Sequence, residues 1–166
     1  MDLDPRYRIV PFSEADEIDE DAIIAFWERE GAVTGQEARQ RVGEAVLVAL
    51  EEGGGVVGLS TAFNGVHPQL RINMWNYRTY VAREHRLSSI AYFLLIRTRD
   101  YLEERFVSGV ETSAQGLIFE LENEGLKKHN EAVWPYDSWF TFIGENARGA
   151  HLRVYYFQGA RVAVPG

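Results

Sequence analysis

The sequence of 166 residues contains no cysteine. A chain without cysteine cannot form disulfides, has no thiolate nucleophile and lacks the sulfur ligands of cysteine-bound zinc and iron–sulfur centres. Any group transfer that this chain catalyses therefore cannot pass through an intermediate bound to cysteine. The absence of cysteine also fits a reducing compartment.

Positive charge is scarce too, since 17 lysines and arginines stand against 25 aspartates and glutamates, which gives a net charge of −8. Sequence-independent binding to nucleic acid depends on clustered basic side chains. We therefore expect no nucleic-acid partner. The acidic balance favours a cationic partner instead.

Long apolar runs are also missing. No stretch approaches the roughly 18 apolar residues that a membrane-spanning helix needs, and residues 1–5 lack the basic start and apolar run of a secretory signal. We expect no membrane partner and a cytoplasmic location. The hydrophobic fraction of 46% is typical of globular proteins. At this length, residues 1–166 are expected to form one domain, which folds alone or as a small oligomer such as a homodimer.

Hydrophobic periodicity predicts an α+β domain. Apolar runs typical of strands lie at 7–12, 46–50, 56–63, 71–81, 117–121, 139–143 and 151–156. Helical spacing predicts one helix that begins after Asp19 and stops at Gly31, and a longer one over 88–105. Thr34 and Glu37 match a capping box, which predicts a short helix ending near Gly43.

Three patterns that carry chemistry in other proteins are discounted here. Residues 53–58 match G-x-G-x-x-G, but a strand follows them where a dinucleotide site needs a helix, so they are interpreted as the turn of a β-hairpin. Ser60 falls within a predicted strand, whereas a hydrolase nucleophile sits on a turn from strand to helix. The four histidines are scattered, without metal-ligand spacing, so no metal site is predicted.

The turn at 81–91 is the most informative place in the sequence. A strand that runs directly into a helix leaves backbone N–H groups open at the positive end of the helix dipole, which suits a pyrophosphate. The small residues Ser88 and Ser89 allow an anion to approach, and Arg83 and Arg86 add positive charge. The alternative is that Ser88 or Ser89 only caps the helix.

The order of elements and this turn resemble the GNAT superfamily of N-acetyltransferases. In that family the acetyl-CoA motif Arg/Gln-x-x-Gly-x-Gly/Ala begins five residues after a valine that ends the central strand. Val81 is followed at that spacing by Arg86, and Ala91 occupies the last position of the motif. Ser89 occupies the position of the first glycine of the motif.

The resemblance implies a single-domain GNAT-like α+β fold, with a mixed, mostly antiparallel central sheet of six to seven strands flanked by helices. It implies acetyl-CoA as the cofactor, without a metal. The acetyl group would pass directly to a primary amine of a small molecule, a peptide or a protein. The cofactor-binding residues that it implies are Thr79, Val81, Arg83, Arg86, Leu87, Ser88, Ser89, Ile90 and Ala91.

A second resemblance lies downstream, where Asn130, Ala132, Tyr136 and Phe140 follow the family's order. By this resemblance Tyr136 is the candidate acid that donates a proton to the leaving thiolate. A phenol of ordinary pKa, near 10, can donate at neutral pH. The alternative is an aromatic side chain that packs beside neighbouring tryptophans.

Glu120 and Glu122 are the candidate bases for the amine. They alternate with apolar residues next to the predicted cofactor strand, so both are expected on one face. Either could take the amine proton directly or through water. The alternative is that both are solvated surface acids. A further alternative for the whole chain is a catalytically silent protein that keeps the fold and binds acyl-CoA.

Overall fold

The computed structural model describes residues 1–135 and 137–163. Its strands are β1 (Tyr7–Pro11), β2 (Ala45–Glu51), β3 (Val56–Val66), β4 (Asn73–Val81), β5 (Gly116–Leu121), β6 (Thr141–Glu145) and β7 (His151–Tyr156). Its helices are α1 (Glu20–Glu30), α2 (Gly35–Arg41), α3 (Ile90–Val107) and α4 (Glu124–Lys127).

The seven strands form one mixed sheet in the order β1-β2-β3-β4-β5-β7-β6. The pairs β1/β2, β2/β3, β5/β7 and β6/β7 are antiparallel. Strands β4 and β5 are parallel, with Trp75 opposite Leu117 and Asn76 opposite Ile118. Helix α3 supplies the crossover that a parallel pair requires. The predicted α+β fold, with a mostly antiparallel sheet flanked by helices, is confirmed.

Contacts divide the chain into two compact units. The first unit consists of Met1–Ala62 and Arg78–Thr98. The second consists of Phe63–Tyr77 and the chain from Arg99 onward. Each unit has its own buried core.

The core of the first unit forms where α1 packs on β2 and β3. Asp19 accepts a hydrogen bond from the N–H of Ala22 at 2.8 Å, and Gly31 ends the helix in the left-handed conformation at φ 66°, as predicted. Phe26 and Trp27 are buried in one cluster with Leu50. Burying side chains of this size stabilises the fold by roughly 1.5–3 kcal/mol each.

Two local predictions are wrong. Thr34 precedes α2, but its side chain makes no capping hydrogen bond, and the side chain of Glu37 pairs with Arg41 one turn later instead of reaching back. The strand predicted at 139–143 begins at Thr141. Trp139 has φ 58°, a left-handed conformation that no strand residue takes.

In the core of the second unit, Met74, Ile118 and Val154 form a buried cluster. Beside it, the ring centroids of Phe119 and Phe140 lie 5.2 Å apart in an edge-to-face pair. Within residues 1–135 and 137–163, no helix has both the length and the apolar character needed to cross a bilayer.

Gly116 allows β5 and β7 to approach closely. A methyl group at this position would overlap the carbonyl oxygen of Tyr155 and lie 2.9 Å from Cα of Tyr156. Because these are backbone atoms of a paired strand, they cannot move aside without breaking the ladder.

We therefore expect Gly116→Ala to lower the free energy of unfolding by about 3 kcal/mol. Urea denaturation of the variant and the wild type measures the difference. Gly43→Ala is the matched control, since nothing lies within 4 Å of its added methyl group. Equal stability of the two variants would contradict the close approach at Gly116.

His67 is a buried polar residue of the second unit, with 3% of its surface exposed. Its Nδ1 accepts a hydrogen bond from the N–H of Gln69 at 3.3 Å, whereas Nε2 finds no partner among the described residues. Burial lowers the pKa of His67, and the nearby carboxylate of Glu120 opposes that effect in part. The folded chain therefore holds this ring neutral.

A lowered folded pKa makes stability depend on pH. Below the ordinary histidine pKa of about 6.5 the unfolded chain binds a proton that the folded chain resists, so stability is lost as the pH falls. We expect His67→Gln to show a smaller loss of unfolding free energy between pH 7.5 and 5.5 than the wild type. Urea denaturation at both pH values tests this, with the exposed His129→Gln as control. If His67→Gln and the wild type lose the same unfolding free energy between pH 7.5 and 5.5, His67 does not cause the pH dependence.

Candidate functional site

The turn from β4 to α3 has the geometry of an open helix start. After Val81 the chain forms one short 3₁₀ turn, Arg83–His85, and α3 begins at Ile90. The first helical hydrogen bond runs from the N–H of Phe93 to the carbonyl of Ser89 at 3.0 Å. The amides of the first turn have no carbonyl four residues back to bond. They lie at the positive end of an 18-residue helix, where phosphates bind well.

Close packing at Gly58 holds β4 and α3 in place. A methyl group on Gly58 would lie 3.1 Å from the carbonyl oxygen of Tyr80, 3.3 Å from a methyl of Val81 and 3.4 Å from Leu94. Gly58 is the last glycine of the G-x-G-x-x-G pattern, and it lies in β3. The pattern therefore belongs to a hairpin, as predicted, and this glycine serves packing.

Ser89 takes ordinary backbone angles. Among the described residues, a positive φ outside glycine occurs only at Arg71, Asp137 and Trp139. A glycine at position 89 is therefore not needed for conformational reasons. Ser88 also supports the helix start, since the N–H of Ile90 points to its Oγ at 3.5 Å.

The two arginines of the turn take different positions. The Nε of Arg86 donates to the carbonyl of Val81 at 3.1 Å, and its guanidinium lies 5.2 Å from the centre of the Tyr80 ring. Its charge therefore lies against the end of β4. The side chain of Arg83 is exposed, and its backbone N–H donates to Glu30 Oε1 at 2.9 Å.

The other candidate cofactor residues surround this junction. Thr79 is exposed, and its hydroxyl donates to the carbonyl of Leu59 at 3.1 Å. Ile90 is fully buried and anchors the helix, whereas Leu87 is fully exposed. Ala91 is exposed on the first helical turn. The structure thus places all nine residues in one continuous stretch of the first unit.

A cavity of about 630 Å³ adjoins the turn. Leu87–Ser89 line one side of it, and Asp2, Asp4, Arg6 and Glu84 line the rest with their neighbours. Hydrogen bonds from Arg6 hold the pKa of Asp4 below its usual range, so the one guanidinium among these four is already paired. The cavity is therefore acidic opposite the helix start.

The candidate bases lie in the second unit. Arg148 donates to Glu120 at 2.7 Å and lies 3.4 Å from Glu122. Both carboxylates therefore contact the same arginine, although β5 ends at Leu121 and Glu122 lies beyond the strand. Both side chains are well exposed, at 41% and 66%. The third catalytic candidate, Tyr136, lies outside the described residues.

Sequence reasoning missed two buried arginines beside the segment at 129–140. Arg153 is fully buried and donates to the carbonyls of His129, Glu131 and Phe140 at 3.1, 2.9 and 3.3 Å. Its guanidinium lies 4.2 Å from the centre of the Trp134 ring. No motif marks Arg153, which the sequence presents only as one residue of an alternating strand.

Arg99 holds the other end of the same segment. It is 7% exposed, and its Nη1 donates to the carbonyl of Asp137 and to that of Ser138, the latter at 2.7 Å. Asp137 and Trp139 take positive φ values of 64° and 58°. Bonds from buried guanidinium groups thus fix backbone on both sides of position 136.

Solved structures share this architecture. A GNAT-family acetyltransferase from Streptococcus pneumoniae is 14% identical, with a TM-score of 0.59 over 91% of this chain and 99% of the other. The ribosomal-protein-S5-alanine acetyltransferase from Vibrio fischeri is 14% identical, with a TM-score of 0.60 over 98% of each chain. Arabidopsis thaliana NAA60, solved with acetyl-CoA, is 13% identical, with a TM-score of 0.58 over 91% of this chain and 99% of the other.

No family model and no curated protein matches the sequence. The similarity is therefore one of structure. At such low sequence identity, proteins can share a fold without sharing a recognisable sequence pattern. It extends over nearly the whole length of each chain compared. The seven-stranded sheet with its parallel β4/β5 pair and helix crossover thus has the fold of the GNAT acetyltransferases.

Proposed function

We propose that the chain is an acetyl-CoA-dependent N-acetyltransferase that moves an acetyl group directly to a primary amine. The observation that carries this proposal is the open start of α3 directly after β4. A helix start with small residues, where some amides lack a carbonyl partner, is a ready-made binding site for a pyrophosphate. The fold, shared with acetyltransferases, supports the same assignment.

The residues of the turn fit the cofactor. Ser88 and Ser89 are small and half-buried, and the backbone at Ser89 needs no glycine. Backbone amides within the stretch 86–91, those of Ser89 and Ala91 among them, would hold the pyrophosphate, and backbone groups near Thr79 and Val81 would hold the pantetheine arm. When bound, acetyl-CoA supplies the activated thioester. The exposed Arg83 adds positive charge near its phosphates.

The acceptor would be a cationic amine of a small molecule, a peptide or a protein. The net charge of −8 favours such a partner electrostatically. One structure of the same fold is named as a ribosomal-protein-S5-alanine acetyltransferase, which supports a protein or peptide amine among these classes.

The proton transfers fall to three side chains. Glu120 or Glu122 would take one proton from the ammonium form of the acceptor. The neutral nitrogen then forms the amide bond as the carbon–sulfur bond breaks, and it releases its second proton to solvent. Tyr136 would donate a proton to the departing thiolate. Because the chain has no cysteine, direct transfer accounts for the reaction without a covalent enzyme intermediate.

A catalytically silent acyl-CoA-binding protein is the second candidate. One observation favours it: Arg148 pairs with both carboxylates that would act as base. A carboxylate that contacts a guanidinium is less available to contact an amine. Both proposed functions use the same cofactor site, but only the acetyltransferase would catalyse acetyl transfer.

A substitution that adds a negative charge at the helix start tests the proposed cofactor site. We expect acetyl-CoA to bind the wild type, and Ser89→Asp to raise its dissociation constant at least tenfold, about 1.4 kcal/mol. The new carboxylate would lie where the phosphates bind. An acidic side chain at a helix N-terminus favours the helix, so the variant should fold. Calorimetric titration measures the affinity.

Ser13→Asp is the control for this experiment, because Ser13 is exposed, lies in the first unit and receives the same change of charge. It should bind acetyl-CoA as the wild type does. If the wild type gives neither heat nor thermal stabilisation with millimolar acetyl-CoA, both acyl-CoA proposals are wrong.

Turnover is tested at Tyr136. We expect Tyr136→Phe to lower kcat about 100-fold, because general acid catalysis contributes at least that much. The dissociation constant for acetyl-CoA should stay unchanged, since the role concerns the leaving group. Thiol release from acetyl-CoA in the presence of a panel of primary amines measures the rate.

Tyr156→Phe is the control, since Tyr156 is 41% exposed at the end of β7 and has no assigned role. An unchanged rate in Tyr136→Phe would remove this residue from the mechanism. If the wild type binds acetyl-CoA but releases no thiol with any amine, the silent binding protein is the better description.

A further inference from the structure

We propose that His85 is a positioning residue, which fixes the turn between β4 and α3 and thereby sets the affinity for acyl-CoA. This inference rests on the proposed function. His85 lies within the turn but is none of the predicted cofactor residues. Its ring points inward, with 15% of the side chain exposed.

The ring of His85 joins the turn to two strands. Nδ1 lies 2.7 Å from the hydroxyl of Tyr7, the first residue of β1, and the two rings meet edge to face at 5.5 Å. Nε2 lies 3.9 Å from Oε2 of Glu51, the last residue of β2. Tyr7 itself is 6% exposed, so this hydrogen bond is partly shielded from water.

The backbone of His85 connects the same residue to the helix start. Its N–H donates to the carbonyl of Ala82 at 2.9 Å. Its carbonyl accepts from the N–H of Ser88 at 3.1 Å and also from the hydroxyl of Ser88. Ser88 Oγ in turn faces the N–H of Ile90 at the first residue of α3.

A continuous chain of contacts therefore runs from β1 through the ring and carbonyl of His85 to Ser88 and the first turn of α3. Phosphate binding at a helix start depends on the direction in which several amides point. Because the neighbouring Leu87 is fully exposed, its side chain does not anchor this part of the turn. The ring of His85 supplies that anchor.

The experiment compares substitutions that keep or remove the Nδ1 contact. In His85→Asn, the amide can present a donor or an acceptor where Nδ1 stood, whereas His85→Gln carries its amide to the Nε2 position. We expect Tyr7→Phe and His85→Gln to raise the dissociation constant for acetyl-CoA about tenfold and to raise KM for acetyl-CoA without changing kcat. His85→Asn should stay within about threefold of the wild type.

Hydrogen exchange of the hydrogen-bonded amides of Ser88, Ile90 and Phe93 gives a readout that needs no ligand. Exchange there should quicken in Tyr7→Phe and His85→Gln, and stay slow in His85→Asn and in the control Tyr156→Phe. Wild-type affinity in Tyr7→Phe and His85→Gln, or unchanged exchange, would overturn the positioning role. If the wild type itself does not bind acetyl-CoA, the proposed function fails, and the exchange data alone decide whether His85 holds the turn.

Discussion

The close approach of β3 to β4 and α3 at Gly58 is the constraint on which the candidate site depends. A side chain at this position would meet the backbone of Tyr80 and the side chains of Val81 and Leu94. Because the helix can pack directly on the strand here, the chain passes from Val81 to Ile90 through a single short turn. A longer connection would leave the helix start free to move, and its amides would no longer point in fixed directions. The packing at Gly58 thus also positions the helix start at which we propose that an anion binds.

Positive and negative side chains lie close together at this turn. The two arginines suggest a local basic site, but Arg86 lies against the end of β4, and carboxylates line the adjoining cavity. The helix start adds its positive potential to the charges of Arg83 and Arg86, both of which are exposed. In the proposed function, such a site would hold phosphates in part through backbone amides that must point in fixed directions. That dependence on geometry explains why contacts that fix the turn matter to it.

Much of the fold could be predicted because its signals are local. The cap at Asp19, the stop at Gly31 and the glycines of the hairpin each determine structure within a few residues. The prediction of a capping box at Thr34 was wrong. Glu37 pairs with Arg41, and hydrophobic periodicity does not show which of two partners a side chain takes. The partners of His85 come from strands that lie far away along the chain, so no spacing rule could find them. The sequence therefore predicts where the candidate site lies along the chain, but it does not predict the distant residues whose contacts hold the turn in place.

The contacts of residues 129–135 and 137–140 could not be predicted from the sequence either. Left-handed conformations at Asp137 and Trp139 cost of order 1–3 kcal/mol each and persist only where the surroundings determine them. Here Arg99 supplies bonds to the carbonyls of Asp137 and Ser138, while Arg153 bonds three further carbonyls of the segment and lies over Trp134. An arginine is usually exposed, so a sequence pattern gives no reason to bury it. Once buried, each guanidinium needs acceptors, and the carbonyls of an irregular backbone can provide them. The irregular segment and the buried arginines therefore stabilise each other, which is why neither is recognisable alone.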